Sequence, residues 1–569
     1  MSGVELEPNL PFSLIETTRL LAPDLAHFQP HNLPYFLLFI CLITLTFCSF
    51  GCGGIGSLAK AVQDPTGATN PLLPGGSPSN AATIASVSVA PSPASISAWG
   101  TVQFTANVQG AATDKSVTWS ALRGTITSSG LYTAPSTAGT DTITAASDAD
   151  PTKLGSTTVS ITAAAPPDAV NLLNFGSAGF GGDDSNVFQT AMNSTAASGQ
   201  TLEVPAGNYN INPLSFPNNS SVFVDAGVTV TANSGYADGV RMLNISSSNV
   251  TITGAGAATS VFQMRKTEYT SGEQRHCMNI VGASDVIISG ISCNDSGGDG
   301  LYLANSTNVT IEDCIFNNNR RQGSSITGGV NHVYYLRDHF TNTNGTAPQS
   351  GIDIEPNDPG SFLLDVNIQD SYTDGNAGDG LMISPWLMNA TSQPISITVL
   401  RHHSTGNARY GYVGINGDIS RPNPPFDPSD STNAPGAILI QDSFSDQNGS
   451  AGAAGRFYSA NGASLTFLNL TVTNPHVNGP DQSYGTSGAV ELVRGGGGTN
   501  PMGNVHFVNI NIAITNGMSD HYFDFQDGSG IGIVTTGSNR VQFIPASLSG
   551  ATSVPPNGLV DGGGANVLD

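Results

Sequence analysis

The sequence predicts an all-β protein. Its larger part is a parallel β-helix, a solenoid of stacked coils, with a small β-sandwich ahead of it. Three observations carry this. Val, Ile and Leu recur in short alternating runs, the period of a half-buried strand. One run repeats as Asn249-Val250-Thr251-Ile252, Asp285-Val286-Ile287-Ile288 and Asn308-Val309-Thr310-Ile311, with Val286 and Val309 separated by 23 residues, which suits one coil. A second element recurs after it, led each time by glycine: Gly300-Leu301-Tyr302-Leu303, Gly323-Ser324-Ser325-Ile326, Gly351-Ile352-Asp353-Ile354, Gly380-Leu381-Met382-Ile383 and Gly411-Tyr412-Val413-Gly414.

At 569 residues the chain exceeds what one compact core supports, so two or more domains are expected. Only 11% of residues are charged and the formal net charge is -24. That balance excludes nucleic acid, which demands clustered Lys and Arg. It also disfavours an anionic polymer, unless a bound cation or a local arginine cluster reverses the field.

The segments follow in order. Residues 1–52 read as an export signal: Pro34 to Phe50 is an almost unbroken apolar run, followed by Gly51-Cys52-Gly53-Gly54. This ending resembles a bacterial lipoprotein cleavage site with Cys52 lipidated, although Ser49 and Phe50 depart from the usual pattern; the alternative is a plain transmembrane anchor. Either way the bulk of the chain is expected outside the cytoplasm, as an outer-membrane lipoprotein, on the cell surface or secreted, and meets a membrane only through this segment. Residues 53–82 are a Gly/Pro/Ser-rich linker. Residues 83–164 hold short strands around Val87, Phe104, Trp119, Ile143 and Val159. The runs VQFTANV, VTWSA and GLYTAPSTAGTDTITA resemble bacterial immunoglobulin-like domains, which implies a β-sandwich spacer or adhesive module with Trp119 in its core.

Residues 165–569 open with Asn174-Phe175-Gly176, Asp183-Asp184, a helical run from Asn186 to Ser194 capped by Asp184 or Ser185, and Val204-Pro205-Ala206-Gly207-Asn208-Tyr209. This order resembles the opening of the pectate-lyase superfamily. The resemblance implies a right-handed parallel β-helix whose first coil is capped by a helix. It leaves the reaction open, because the family holds polysaccharide lyases, polygalacturonases, uronate epimerases and phage tail spikes. The Asn-Thr-Asp, Gly-His-Gly and Arg-Ile-Lys runs of polygalacturonases are absent from this chain, and its one paired Asp lies in the cap.

The repeat register nominates a site. With Ile352 and Ile354 inward, Asp353 and Glu355 point outward, Cα atoms about 6.5 to 7 Å apart. Two such carboxyls suit an acid and base pair for glycoside cleavage. The same face is expected to carry Asp299 and Asp379 as supporting carboxylates. Arg320, Arg321 and Arg409 would orient the substrate, and Trp386, Tyr302, Tyr410 and Tyr412 would stack on sugars. The inserted residues Thr343 to Pro348 would form a wall. An alternative use of Asp353, Glu355 and Asp358 is a calcium site, an all-oxygen set. Cys293 and Cys314 fall in interior columns and are expected reduced and separate; Asn294 and Asn317 are expected to stack as a ladder. His276, His332, His339, His402 and His403 read as turn residues. The expected activity is hydrolysis of a polysaccharide by a monomer. A calcium-assisted lyase or an epimerase stands close behind, and a non-catalytic surface adhesin is the alternative of a different class.

Overall fold

The computed structural model describes residues 83–135, 138–385, 387–415, 434–456, 462–479, 488–493 and 505–515, together with short strands from His521 to Leu568. Residues 1–82, with the apolar run and Cys52, lie outside this set, as do Trp386 and residues 416–433.

Residues 84–162 form antiparallel and parallel strands in three small sheets. The expected strand centres fall on Ile84–Ala90, Thr105–Gly110, Val117–Ala121, Gly139–Ser147 and Leu154–Thr162, with Phe104 between two short strands. Phe104, Tyr132, Ile143 and Val159 form the core, and Trp119 packs half-buried at its edge.

The helix expected at 186–194 spans Ser185–Ser198. Phe188, Ala191, Met192 and Ala196 share one buried face, which packs on strands Thr201–Val204 and Ser221–Val224. Asp184 sits at the N-cap position without capping the helix. Its carboxylate instead accepts from the N–H groups of Gly179 and Asn210, tying the cap to the first coil. Gly199 ends the helix in the left-handed region that glycine adopts without strain.

From Val170 onward the chain winds through three parallel sheets, with 14, 13 and 11 strands among the described residues. The cause is the alternation in the sequence. In the first sheet Val250, Val286, Val309, Val333 and Val366 stack in one interior column. All are buried, and full burial of each such side chain stabilises by about 1.5–3 kcal/mol. The second sheet stacks Phe262, Cys293, Phe316 and Phe340.

The glycine column is confirmed. Residues 301, 324, 352, 381 and 412 are paired coil to coil, so Gly300, Gly323, Gly351, Gly380 and Gly411 lie one above the other. The reason is close approach: a Cβ on Gly323 would stand 2.4 Å from the Gly351 carbonyl oxygen of the next coil.

Asn294 and Asn317 stack in register as expected, but the hydrogen-bonded ladder lies elsewhere, in a buried column at Asn319, Asn376, Asn407 and Asn448. Asn376 Nδ2 donates to Asn407 Oδ1 at 2.8 Å, and Asn407 Nδ2 to Asn448 Oδ1 at 3.0 Å. These amides face the turn backbone, which the strand residues Asn294 and Asn317 do not reach. The cysteines also differ. Cys293 is bonded to Cys277, while Cys314 is free and buried. Met278 pairs with Leu301, so Cys277 stands where the next coil has Gly300. Its side chain crosses the interior to the second sheet, with Cα atoms 5.9 Å apart. Cys277 lies ahead of the first glycine of the repeat, which is why the repeat register did not reveal the partner.

Candidate active site

Strand Ile352–Ile354 places Asp353 on the outward side of the third sheet, between two buried isoleucines, and Glu355 follows it. Outward does not mean exposed here. Asp353 is 1% exposed, and its column neighbours Ser325, Met382 and Val413 are buried too. Met382 and Val413 pack there with Tyr410, Ile415, Ala451 and Ala454 in a second apolar cluster, on the face that the strand pattern by itself assigns to water.

Asp353 and Asp379 lie on the same face in adjacent coils, as the N–H of Gly351 donates to the Asp379 carbonyl at 2.9 Å. Gln322 Nε2 donates to Asp353 Oδ2 at 2.6 Å, and Gln322 Oε1 accepts from the N–H of Ser350 at 2.8 Å, so this amide holds the carboxyl in one orientation. Asp353 Oδ1 has no hydrogen-bond partner among the described residues. Asp379 repeats the arrangement: Oδ1 accepts from the N–H of Tyr410 at 3.1 Å, and Oδ2 has no partner. The hydroxyls of Ser350 and Ser384, beside these two residues, are likewise buried without a partner. Buried polar atoms in proteins are nearly always paired, so four orphaned oxygens on one face mark a place that receives polar groups from outside. Burial, followed by the charge of Glu355, holds the Asp353 carboxyl well above the usual carboxylate range.

Two coils before Asp353 stands Asp299, fully buried. Arg321 Nη1 lies 3.5 Å from both of its oxygens, and Arg321 Nε is 3.3 Å from Glu273. His276 Nδ1 accepts from the Asp299 N–H at 3.0 Å, and its ring stacks on Tyr302 with centroids 4.6 Å apart. Burial pushes the His276 imidazole down to about 3, helped by Arg241 and Arg321, so it is neutral. Burial pushes Asp299 up to about 6 against the pull of Arg321. A carboxyl raised in the folded state contributes stability that is complete below about pH 4 and is lost as the pH rises through about 6. The stability difference between wild type and Asp299→Asn should therefore move in the variant's favour by about 2–3 kcal/mol across that window. Denaturant titrations at several pH values check this; a difference constant from pH about 4 to 7 would contradict it.

The other nominated residues divide. Arg409 reaches Asp379, Nε to Oδ1 at 3.7 Å, and is half-exposed. Arg320 turns away, donating to the carbonyls of Thr270 and Gly272, where it braces the 266–276 segment. Tyr410 and Tyr412 are fully buried and offer no face to a sugar. Tyr412 points inward, in the column of Ile352 and Leu381, and donates to the His402 carbonyl at 2.8 Å. Tyr302 is half-buried, with one ring face covered by His276. The calcium set is not assembled. Asp358 is exposed and accepts from the N–H of Gly360 in its own turn, and among the described residues no group of three or more His, Cys, Asp or Glu is placed to hold a metal ion. The expected wall is present and braced: the N–H groups of Asn344 and Thr346 donate to the carbonyls of Asn319 and Arg320. Sequence reasoning passed over Gln322, Glu273, Ser350 and Ser384, and took His276 as a turn residue. For His276 a signal existed: it occupies the position of Asp299 one coil earlier.

A family model described as "Right handed beta helix region" matches residues 212–361. Among solved structures, the A-module of mannuronan C-5 epimerase AlgE4 from Azotobacter vinelandii superposes with TM-score 0.50 at 16% identity, covering 69% of this chain and 100% of that one. The fold is a right-handed parallel β-helix. The AlgE6 A-module of the same organism gives TM-score 0.45 at 14% identity, covering 70% and 99%. A family 28 exopolygalacturonase from Yersinia enterocolitica gives 0.41 at 14%, covering 73% and 85%. At these identities the likeness is one of fold. No curated protein sequence matches the chain.

Proposed function

We propose that this protein is an exported, carbohydrate-active enzyme that hydrolyses a polysaccharide on the third sheet of its β-helix. The observation that carries the reading is the pair of adjacent buried carboxyls, Asp353 and Asp379, each presenting one oxygen without a partner beside Glu355. Asp353, whose proton is held by burial, is the general acid, and Glu355 is the base or nucleophile; Asp379 supports the charge that develops on the sugar. Arg321 orients Asp299 and the substrate. The epimerase and polygalacturonase with related folds act on polysaccharides by name, which agrees with the reading. The strands at 84–162 serve as an immunoglobulin-like spacer, and Cys52 carries a lipid anchor. The Cys277–Cys293 bridge suits an oxidising compartment outside the cytoplasm.

The test is a polysaccharide panel read in two ways. Release of reducing ends reports any cleavage, and ultraviolet absorbance of an unsaturated product reports elimination. Hydrolysis predicts the first without the second. An unsaturated product would replace this reading with a lyase.

A further inference from the structure

Resting on the hydrolase reading, we infer that the sugar unit cleaved between Asp353, Glu355 and Asp379 is neutral, carrying hydroxyl groups and no carboxylate. The charge of the site points there, and its unpartnered oxygens are ones that sugar hydroxyls can meet.

Charge comes first. Glu273, Asp299, Asp353, Glu355 and Asp379 converge on this face. Among the described residues two guanidiniums stand beside them, and both are already shared with the protein's own acids. Arg321 contacts Asp299 and Glu273, and feels Asp353 and Glu355 as well. Arg409 contacts Asp379. The other cations on this flank also bond within the protein. Arg275 is held by the carbonyls of Tyr236 and Ser271, by Asp238 at 3.5 Å and by the Tyr269 ring. Arg320 is held by two carbonyls. Lys266 donates to Asn318, Asn319 and Asn344. Even with Asp353 protonated, the acids outnumber the cations on this face among the described residues. A uronate carboxylate would enter a field of its own sign in a water-poor enclosure, where like charges cost most. Arg241 lies four coils before Asp353, about 19 Å along the axis, too far to neutralise the unit being cleaved.

Hydrogen-bond complementarity comes second. The orphaned atoms are two carboxyl oxygens, Asp353 Oδ1 and Asp379 Oδ2, and two serine hydroxyls, Ser350 Oγ and Ser384 Oγ. Asp379 Oδ2 accepts, the protonated Asp353 donates through Oδ1 because Oδ2 already takes the Gln322 N–H, and serine hydroxyls donate or accept. Sugar hydroxyls supply both roles, so a neutral chain lying along this face can pair with them.

The experiment uses the whole protein and matched polymers. Polygalacturonate and alginate are offered beside their carboxyl-reduced forms, in which linkage is kept and only the charge is removed, together with xylan, arabinan, galactan, mixed-linkage glucan and levan. Initial rates of reducing-end release and ultraviolet absorbance are recorded for each. The inference expects cleavage confined to neutral polymers, with any uronan at least about a hundredfold slower than its reduced partner. Faster reducing-end release from the uronan, without absorbance, overturns the neutral substrate and leaves hydrolysis standing. Uronan cleavage with absorbance overturns both.

Discussion

Asp353→Asn is expected to lower the rate of polysaccharide cleavage about a hundredfold or more, and Glu355→Gln to do the same. The amide keeps the shape of each side chain and removes its proton chemistry. Gln322 Nε2 can still donate to the side-chain amide oxygen of the asparagine at 353, so the geometry of the strand survives. Stability should not fall with activity. Burial and the charge of Glu355 raise the Asp353 carboxyl, so ionising it costs folding free energy, and an amide escapes that cost. A raised carboxyl loses its stabilising contribution as pH rises. The Asp353→Asn protein should therefore melt at or above the wild-type temperature at neutral pH, with its advantage growing from acid toward alkaline conditions. Activity retained in both variants would move the site elsewhere. A large drop in melting temperature for Asp353→Asn would mean that the carboxylate is a structural anion and not a stored acid.

Removing the Cys277–Cys293 bridge is expected to cost about 3 kcal/mol, the scale for a loop of this length. Cys293→Ser loses the link between the third and second sheets inside one coil and leaves a hydroxyl in an apolar column between Phe262 and Phe316. The coils beside Asp299 should loosen first, because each coil contacts chiefly its neighbours in a solenoid. Cys314→Ala is the control: it touches no bridge and should cost about 1 kcal/mol. Thermal unfolding and hydrogen exchange at residues 277–303 read both effects. Equal melting temperatures for wild type and Cys293→Ser would show that the bridge contributes little.

Much of the fold was legible because a solenoid writes itself locally. Each coil repeats the same apolar alternation, so Val286, Val309 and Val333 announce one interior column without any knowledge of distant parts of the chain. The glycine column was equally plain, since close coil packing admits no Cβ there and every coil must meet the same demand. The helix at Ser185–Ser198 followed from its own period and its place ahead of the first strand.

What the sequence left undecided depends on contacts between coils and on insertions, which carry no period. Alternation along one strand placed Asp353 outward and stopped there. Burial came with neighbours in the adjacent coils, Gln322, Ser325 and Met382 among them, and that burial turns a surface carboxylate into a stored acid. Tyr410 packs into the apolar cluster of Met382, Val413 and Ala454, while Tyr412 belongs to the interior column; spacing had suggested both as stacking platforms. Cys277 and Cys293 meet across the interior of a coil, 16 residues apart, a distance that only the closed coil makes short. The sequence by itself determined the coil, its interior columns and the face that bears the acids. Only the tertiary structure decided which of those acids are buried, which oxygens lack partners and which arginines are already spent, because each depends on neighbours that a linear period does not encode.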